Sequence, residues 1–274
     1  MKKRIITAIV LVAVLFPFVW FSDTWAFPCL LAAFSAVAGY EILHCIGVHK
    51  LWYAAAPVYA VSILWVLSTR LTEHHIPVLA GTAVVYLFWL LCAAVFSRGK
   101  FTMTQACELF SMTVYITFGF SSIIRLRDIE HGQFIFILAF LVPWVSDVFA
   151  YFSARLFGRH KLIPDVSPKK TVEGAVGGVI FGTLALMLYG FGVGLFFEAT
   201  PRYLGLFLLG IVVTVVSQCG DLIASLLKRQ YGIKDYGKIF PGHGGVMDRF
   251  DSIVAAAGFL YLTTAIPSLF RIFF

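Results

Sequence analysis

Long runs of apolar residues, separated by short polar stretches, recur along this sequence from beginning to end. Each run is about 20 residues long, which is the length that an α-helix needs to cross the hydrocarbon core of a bilayer. Nine runs are found, with centres near Val12, Phe34, Ala60, Leu87, Thr117, Val145, Thr183, Val213 and Leu260. The pattern predicts an all-α polytopic membrane protein with about nine transmembrane helices.

The composition excludes a water-soluble protein. Of the 274 residues, 60% are hydrophobic and 13% are charged, whereas roughly a quarter of the residues of a soluble domain are charged. Membrane lipids are therefore the expected surroundings of most of the chain, and no nucleic acid is expected among its partners.

Lysine and arginine residues determine the predicted orientation, because cytoplasmic loops collect them. With the N-terminus cytoplasmic, 16 of the 21 Lys and Arg residues fall on the cytoplasmic side. The basic start at residues 1–4 precedes an apolar run that is longer than the core of a signal peptide, so we interpret this run as an uncleaved first span.

The motifs divide the chain into two parts. Residues 1–130 carry transmembrane helices without a motif, whereas residues 131–274 carry the candidate chemistry and two basic cytoplasmic loops, about residues 157–172 and 229–249. The second part also has glycines at the small-residue spacing that lets membrane helices approach closely, at positions 174, 177, 178 and 182. We expect these glycines to pack helices rather than to bind phosphate.

Two acidic residues lie inside predicted spans, where an ionised side chain costs roughly 2.5 to 3.5 kcal/mol. Asp147 lies roughly 12 Å and Asp221 roughly 9 Å from the cytoplasmic ends of their spans. Asp221 also belongs to a stripe whose members are spaced by four, four and three residues: Ser217, Asp221, Ser225 and Lys228. Such a stripe predicts a hydrated helix surface that leads to the cytoplasm, and polar contacts between helices are the alternative.

The densest polar segment of the chain follows, at residues 234–251. Its Pro-Gly-His-Gly-Gly turn at 241–245 has glycine N–H groups that can converge on an anion, and the N-terminus of the ninth helix adds a positive end. Asp248 and Asp251 are three residues apart, so both can face one site. Capping of the helix is the alternative for one of the two carboxylates.

This mixture of carboxylates, cations and glycine amides favours phosphoryl or nucleotidyl transfer, in which catalysis is mainly positioning and neutralisation of charge. A transporter for divalent cations would need the carboxylates but not so many basic residues around them.

The segment from Ser225 to Asp251, SLLKRQYGIKDYGKIFPGHGGVMDRFD, resembles the signature of the phosphatidate cytidylyltransferases, also called CDP-diglyceride synthases. The shared features are a Ser-x-x-Lys-Arg start, a Lys-Asp pair, a His-Gly-Gly turn and an Asp-Arg-x-Asp end. Two further segments are similar to the same family, residues 146–158 and residues 167–174. The resemblance covers roughly residues 143–254.

The resemblance implies a nucleotidyltransferase that converts CTP and phosphatidic acid into CDP-diacylglycerol and pyrophosphate for phospholipid biosynthesis. It also implies a multi-pass enzyme of the bacterial type of cytoplasmic membrane, with its active site facing the cytoplasm. A homodimer is compatible with the sequence. The expected cofactor is Mg²⁺ or Mn²⁺, and a second cation is compatible with the number of acids.

Residue chemistry and the resemblance together assign roles to individual positions. We expect Asp221 and Asp248 to hold the cation, with Asp147 and Asp251 as further metal ligands. The residues expected to act in catalysis or to bind substrate are basic, polar or glycine: Lys228, Lys234 and Arg249 for catalysis, and Lys169, Lys170, Ser225, His243, Gly244 and Gly245 for substrate binding. Simple anchoring of the loop at the membrane is the alternative for Lys169 and Lys170.

Two other functions stay open at this stage. A CTP-dependent polyprenol or phytol kinase would use the same nucleotide but would transfer its terminal phosphoryl group. A membrane transporter of phosphorylated metabolites or divalent cations would also place acids and bases inside the bilayer.

Overall fold

The computed structural model describes residues 20–72, 75–197, 200–240, 242 and 244–264. These residues form the following helices: α1 (Ala26–Ile46), α2 (Trp52–Leu71), α3 (His75–Phe96), α4 (Met103–Asp128), the single turn α5 (Gly132–Ile135), α6 (Leu138–Phe157), α7 (Val172–Phe196), α8 (Tyr203–Gln230) and α9 (Met247–Thr264). Two short strands, β1 (Lys161–Ile163) and β2 (Ser167–Thr171), lie between α6 and α7.

Seven helices in the described part of the chain are long and apolar enough to cross a membrane, with α5 and α6 counted as one span, Gly132–Phe157. They match the second to eighth predicted spans, so the all-α polytopic class is confirmed. The first predicted span lies outside the described residues. The ninth corresponds to α9, whose first turns carry three charged residues and which is not among the seven. The count of nine therefore stays a prediction.

The basic loop between α6 and α7 folds into a β-hairpin, which the sequence analysis did not predict. The two strands are antiparallel, with Lys161 paired with Thr171 and Ile163 paired with Ser167. The strand Ser167–Thr171 has no apolar alternation that would mark it in the sequence. Pairing at the surface gives this polar segment a defined shape, and it carries Lys169 and Lys170.

The chain forms two compact units. The first contains the described residues up to Arg125 together with Gln230–Phe250, and the second contains Leu126–Arg229 together with the described residues from Asp251 onward. The predicted functional division after residue 130 thus falls near the first boundary, although the segment Gln230–Phe250 belongs to the first unit.

In the first unit, helices pack through small and aromatic side chains. A side chain at Gly39 of α1 would meet Val58 and Ser62 of α2 at 2.9 and 3.0 Å, so glycine is what lets these helices come together. The ring of Phe250, at the start of α9, lies 5.2 Å from the ring of Phe34 and 5.3 Å from that of Phe120.

In the second unit, glycines of α7 meet α6 and α8. A Cβ at Gly178 would lie 2.7 Å from the amide nitrogen of Gln218 and 2.9 Å from Oγ of Ser146, and one at Gly182 would lie 2.7 Å from Oγ1 of Thr214. A Cβ at Gly174 would lie 2.8 Å from the carbonyl oxygen of Ala150, and one at Gly177 would clash with the side chain of Ser153, both on α6. The packing role predicted for these four glycines is confirmed, and α6, α7 and α8 are held close enough to share a site.

Candidate active site

The polar stripe of α8 is present, but most of it is buried. Oγ of Ser225 donates a hydrogen bond to Oδ1 of Asp221 at 3.3 Å, as expected for residues four apart on one helix. Ser217 is fully buried, and Lys228 is only 8% exposed. The stripe therefore faces other helices for most of its length, and the hydrated surface predicted for it is restricted to the part around Asp221.

Asp221 forms an ion pair with Lys170. Nζ of Lys170 lies 2.6 Å from Oδ2 of Asp221, and the two side chains are 27% and 28% exposed. Both residues were predicted to belong to the site, but their contact was not predicted. The hairpin thus brings a cation directly onto the carboxylate of α8.

Asp251 is the buried acid of this group. Its side chain is 7% exposed, and it lies close enough to Asp221, Lys228 and Asp147 to interact electrostatically with all three. Its Oδ1 accepts a hydrogen bond from the N–H of Ser252 at 2.7 Å. Three of the four predicted metal ligands are thus neighbours in the second unit, with Lys228 compensating part of their charge.

A cleft of about 250 Å³ opens beside the ion pair, and we refer to it as the charged cleft. Its polar lining consists of Asp147, Lys169, Lys170, Thr171, Gln218 and Asp221. Its remaining lining is small or apolar: Ala150, Tyr151, Ala154, Leu162, Gly174 and Ala175. A polar head group and the start of an apolar chain can therefore be accommodated side by side.

A cavity of about 310 Å³ in the first unit is of similar size, but the described residues that line it carry no charge: Tyr53, Trp89, Cys92, Ala93, Phe96 and Ser97. Charge rather than size therefore identifies the candidate active site.

The hairpin that carries Lys170 is fixed at both ends. Oε2 of Glu173 accepts the N–H of Arg159 at 3.1 Å, and Oε1 lies 2.6 Å from Nδ1 of His160. Thr171 caps α7 by accepting the N–H of Gly174 at 3.1 Å. Nε of Arg229 donates to the carbonyl oxygen of Val166 at 3.2 Å, which joins the hairpin turn to the end of α8.

Gln218 is a cleft residue that the sequence analysis did not assign. Its Nε2 donates to Oγ of Ser146 at 3.2 Å and to the carbonyl oxygen of Ala175 at 3.1 Å. This one side chain therefore bonds α8 to both α6 and α7, one turn before Asp221. The polar pair Ser217-Gln218 inside an apolar segment is the sequence feature that could have indicated this role.

Asp248 joins two backbone positions of the first unit through hydrogen bonds. Its Oδ2 accepts the N–H of Tyr236 at 2.8 Å and that of Gly245 at 2.9 Å. Both donors precede α9, which begins at Met247, so the capping of this helix by Asp248 stays a prediction. The N–H of Gly245 is engaged by a protein carboxylate, and its predicted contact with a phosphate stays a prediction, as does the metal-binding role of Asp248.

The glycine turn itself is closed by a backbone bond, from the N–H of Phe240 to the carbonyl oxygen of Gly244 at 3.0 Å. Gly244 has a φ of +85°, a conformation that favours glycine. Lys234 and Arg249 are exposed. His243 lies outside the described residues.

Glu41, a residue of α1 that is 1% exposed, was not among the predicted site residues. Its Oε1 accepts the N–H of Val246 at 2.9 Å and its Oε2 accepts that of Met247 at 2.8 Å. A lone acid in an apolar span was the only signal, and it was far in sequence from every motif.

No group of three or more His, Cys, Asp or Glu side chains in the described ranges is arranged to hold a metal ion by itself. The donor set nevertheless fits Mg²⁺, which is usually held by one or two carboxylates together with water and substrate phosphates rather than by a complete protein cage.

Comparison with known proteins identifies the family. The model of the cytidylyltransferase family matches residues 2–266. The phosphatidate cytidylyltransferase of Bacillus subtilis (strain 168) is 32% identical over 274 residues, which cover 98% of this chain and 99% of that protein. The enzymes of the same name from Staphylococcus haemolyticus (31% identity; 93% of this chain, 95% of that protein) and Haemophilus influenzae (34% identity; 69% of each chain) are also similar. The similarity extends over nearly the full length of the chain, and the fold and the charged cleft agree with it. The chain therefore belongs to the cytidylyltransferase family.

Proposed function

We propose that this membrane enzyme transfers the cytidylyl group of CTP to phosphatidic acid, giving CDP-diacylglycerol and pyrophosphate. The observation that carries the proposal is the charged cleft, in which the Lys170–Asp221 ion pair lies beside small and apolar side chains. The similarity to phosphatidate cytidylyltransferases supports the choice of both substrates.

The reaction requires little acid–base chemistry from the protein. An oxygen of the phosphatidate monoester attacks the α-phosphorus of CTP, the new phosphorus–oxygen bond forms, and the bond to the bridging oxygen of the β-phosphate breaks. Pyrophosphate leaves with the bonding electrons. Because the second pKa of a phosphate monoester is about 6, the attacking group is already mostly a dianion at neutral pH. The obstacle is repulsion between two polyanions.

Basic residues of the second unit reduce this repulsion. Lys169 and Lys170 line the charged cleft, and Lys169 is exposed. Lys170 forms an ion pair with Asp221. A phosphate that enters the cleft would compete with Asp221 for the positive charge of Lys170. Lys228 is buried beside Asp251 and compensates the acids rather than facing solvent.

A divalent cation fits the acidic side of the cleft. Asp221 would hold Mg²⁺ in the charged cleft, which Asp147 also lines, and Asp251 is buried near both carboxylates. When bound, Mg²⁺ supplies neutralisation of the triphosphate and of the departing pyrophosphate. Oγ of Ser225, bonded to Oδ1 of Asp221, orients that carboxylate.

The apolar lining explains how a lipid could be used. Ala150, Tyr151 and Ala154 lie on α6 and face the cleft, and Trp144, Val148 and Phe152 of the same helix are exposed, as expected for a surface in contact with lipid. We place the cleft on the cytoplasmic side of a bacterial-type inner membrane, because the basic hairpin follows the distribution expected of cytoplasmic loops.

The deciding experiment is turnover by the purified protein in detergent, with either phosphatidic acid or a polyprenol as the acceptor and with CTP labelled either in the base or in the γ-phosphate. We expect the base label in the lipid product and the γ label in pyrophosphate. Transfer of only the γ label would identify a lipid kinase. Absence of turnover with any metal would contradict an enzyme of either kind and favour transport.

A further inference from the structure

We infer that Glu41 is a positioning residue of the reaction: from α1 it fixes the segment of residues 236–240, 242 and 244–249, which ends with Asp248 and Arg249. This inference rests on the proposed function, because that segment carries several of the residues expected to meet CTP. All of the contacts concerned lie within the first unit.

The carboxylate of Glu41 binds two successive backbone amides at the start of α9. Oε1 accepts the N–H of Val246 and Oε2 accepts that of Met247, at 2.9 and 2.8 Å. Met247 is the first residue of α9 and Val246 directly precedes it, so no carbonyl of the helix itself is available to either amide. Glu41 therefore replaces the cap that α9 would otherwise take from a residue nearby in sequence.

Asp248 completes the arrangement by accepting the N–H of Gly245. Three successive amides, at residues 245, 246 and 247, are thus bound by two protein carboxylates. The sequence predicted that the N-terminus of α9 would help to bind a phosphate. In the structure, the amides there bind carboxylates of the protein itself.

Two glycines of the segment provide the space for Glu41. A Cβ at Gly245, or one at Gly237, would clash with the carboxylate of Glu41. Neither glycine has a positive φ, whereas Gly242 and Gly244 do. The backbone conformation therefore does not require glycine at 237 and 245, but the presence of Glu41 does.

These contacts join both ends of the segment to one point on α1. Gly237 lies close to the carboxylate of Glu41 near the beginning of the segment, and Val246 and Met247 donate to that carboxylate near its end. The burial of a carboxyl group in a membrane helix is costly. Here this cost is offset by the hydrogen bonds from Val246 and Met247, and these bonds fix the position of Asp248 and Arg249.

The test compares Glu41→Gln with Tyr86→Phe. Gln is of the same size, but its NH₂ group cannot accept an N–H bond, so one of the two amides loses its acceptor. Tyr86 is 3% exposed and donates to Oγ1 of Thr113 at 3.2 Å, so its replacement removes a buried hydrogen bond of the same unit that does not involve the segment.

Two measurements are made on the full-length protein in detergent: hydrogen exchange at the amides of Val246 and Met247, and kcat/KM for CTP per mole of folded enzyme. In Glu41→Gln we expect exchange at these amides to be at least tenfold faster and kcat/KM to be at least tenfold lower. Tyr86→Phe should leave both unchanged. Faster exchange with unchanged kcat/KM would show a purely structural cap and overturn the inference, as would unchanged exchange.

A second pair of variants tests the coupling even if Glu41→Gln folds poorly. Gly245→Ala should be strongly impaired in the wild-type background, because its methyl group meets Glu41, and much less impaired in a Glu41→Ala background, where there is room. Equal impairment in both backgrounds would contradict the role of Glu41. If the wild-type enzyme does not place the base of CTP in lipid, the proposed function fails, whereas exchange at residues 246 and 247 still decides the contact.

Discussion

Nζ of Lys170 lies 2.6 Å from Oδ2 of Asp221, so the hairpin between α6 and α7 meets α8 in an ion pair at the edge of the charged cleft. Both side chains are about a quarter exposed, and pairs of this kind contribute at most about 1 kcal/mol to stability. The functional importance of this ion pair is that each residue can exchange its partner for a charged ligand. A phosphate would attract Lys170, and a cation would attract Asp221, so that binding of both could replace one ion pair by two.

The first prediction concerns Asp221→Asn, which keeps the shape of the side chain and removes its charge. Activity should fall on the order of 100-fold, as for the loss of one group that stabilises the transition state electrostatically. The free energy of unfolding should fall by less than about 1 kcal/mol, because the pair is partly exposed. Cytidylyl transfer and thermal unfolding are measured on the same preparation.

Asp165→Asn is the matched control for this variant. Asp165 is exposed in the turn of the hairpin, so its replacement makes the same change in charge in the same unit without touching the cleft. Near-normal turnover of Asp221→Asn, at equal amounts of folded protein, would remove Asp221 from the metal site.

The second prediction separates phosphate binding from membrane anchoring for Lys170. Lys170→Met should raise the KM for CTP or for phosphatidate about tenfold, which corresponds to about 1.4 kcal/mol of lost binding. Lys100→Met removes an equal charge from an exposed basic loop and should leave both KM values unchanged. If both variants lose affinity only for phosphatidate presented in membranes, and to the same extent, Lys170 is an anchor.

The long apolar runs predicted the helices well, because the length and hydrophobicity of a span can be read from that segment alone. Seven predicted spans correspond to helices of the structure. The hairpin was not predicted, since its order comes from pairing between two polar strands and from Glu173, which binds the backbone of Arg159 and His160. Such contacts leave little trace in the local pattern.

Site residues were predicted as a set, but not their partners. Asp147, Asp221 and Lys170 are found together, although the ion pair was not expected. Gly245 was assigned to an anion, whereas its N–H binds Asp248 and its missing side chain makes room for Glu41. Glu41 itself contacts residues about 200 positions away, a relationship that only the fold can reveal.

The third prediction concerns the packing of α7. Gly178→Ala should destabilise the protein by about 1 to 3 kcal/mol, because the new methyl group has no room between Gln218 and Ser146. It should also lower activity, since Gln218 would be displaced from the charged cleft. Gly192→Ala, in the same helix but with open space around it, should be neutral or stabilising by up to about 1 kcal/mol. Equal effects of the two variants on thermal unfolding would contradict the packing role.

The last prediction addresses the cation and the part of Asp147 in binding it. Removal of divalent metal with EDTA should abolish cytidylyl transfer, and Mg²⁺ should restore it. Asp147 lies in the charged cleft and is exposed, so Asp147→Asn should leave the free energy of unfolding within about 0.5 kcal/mol of the wild type.

Because Asp147 lies near Asp251 and shares the cleft with Asp221, its loss should raise the Mg²⁺ concentration for half-maximal activity about tenfold, a change of about 1.4 kcal/mol in apparent binding. A titration with Mg²⁺ at saturating CTP and phosphatidate measures this shift, with Asp165→Asn again as the control for charge. An unchanged Mg²⁺ requirement together with lower kcat would instead assign Asp147 to substrate positioning, because a ligand of the cation must affect its affinity.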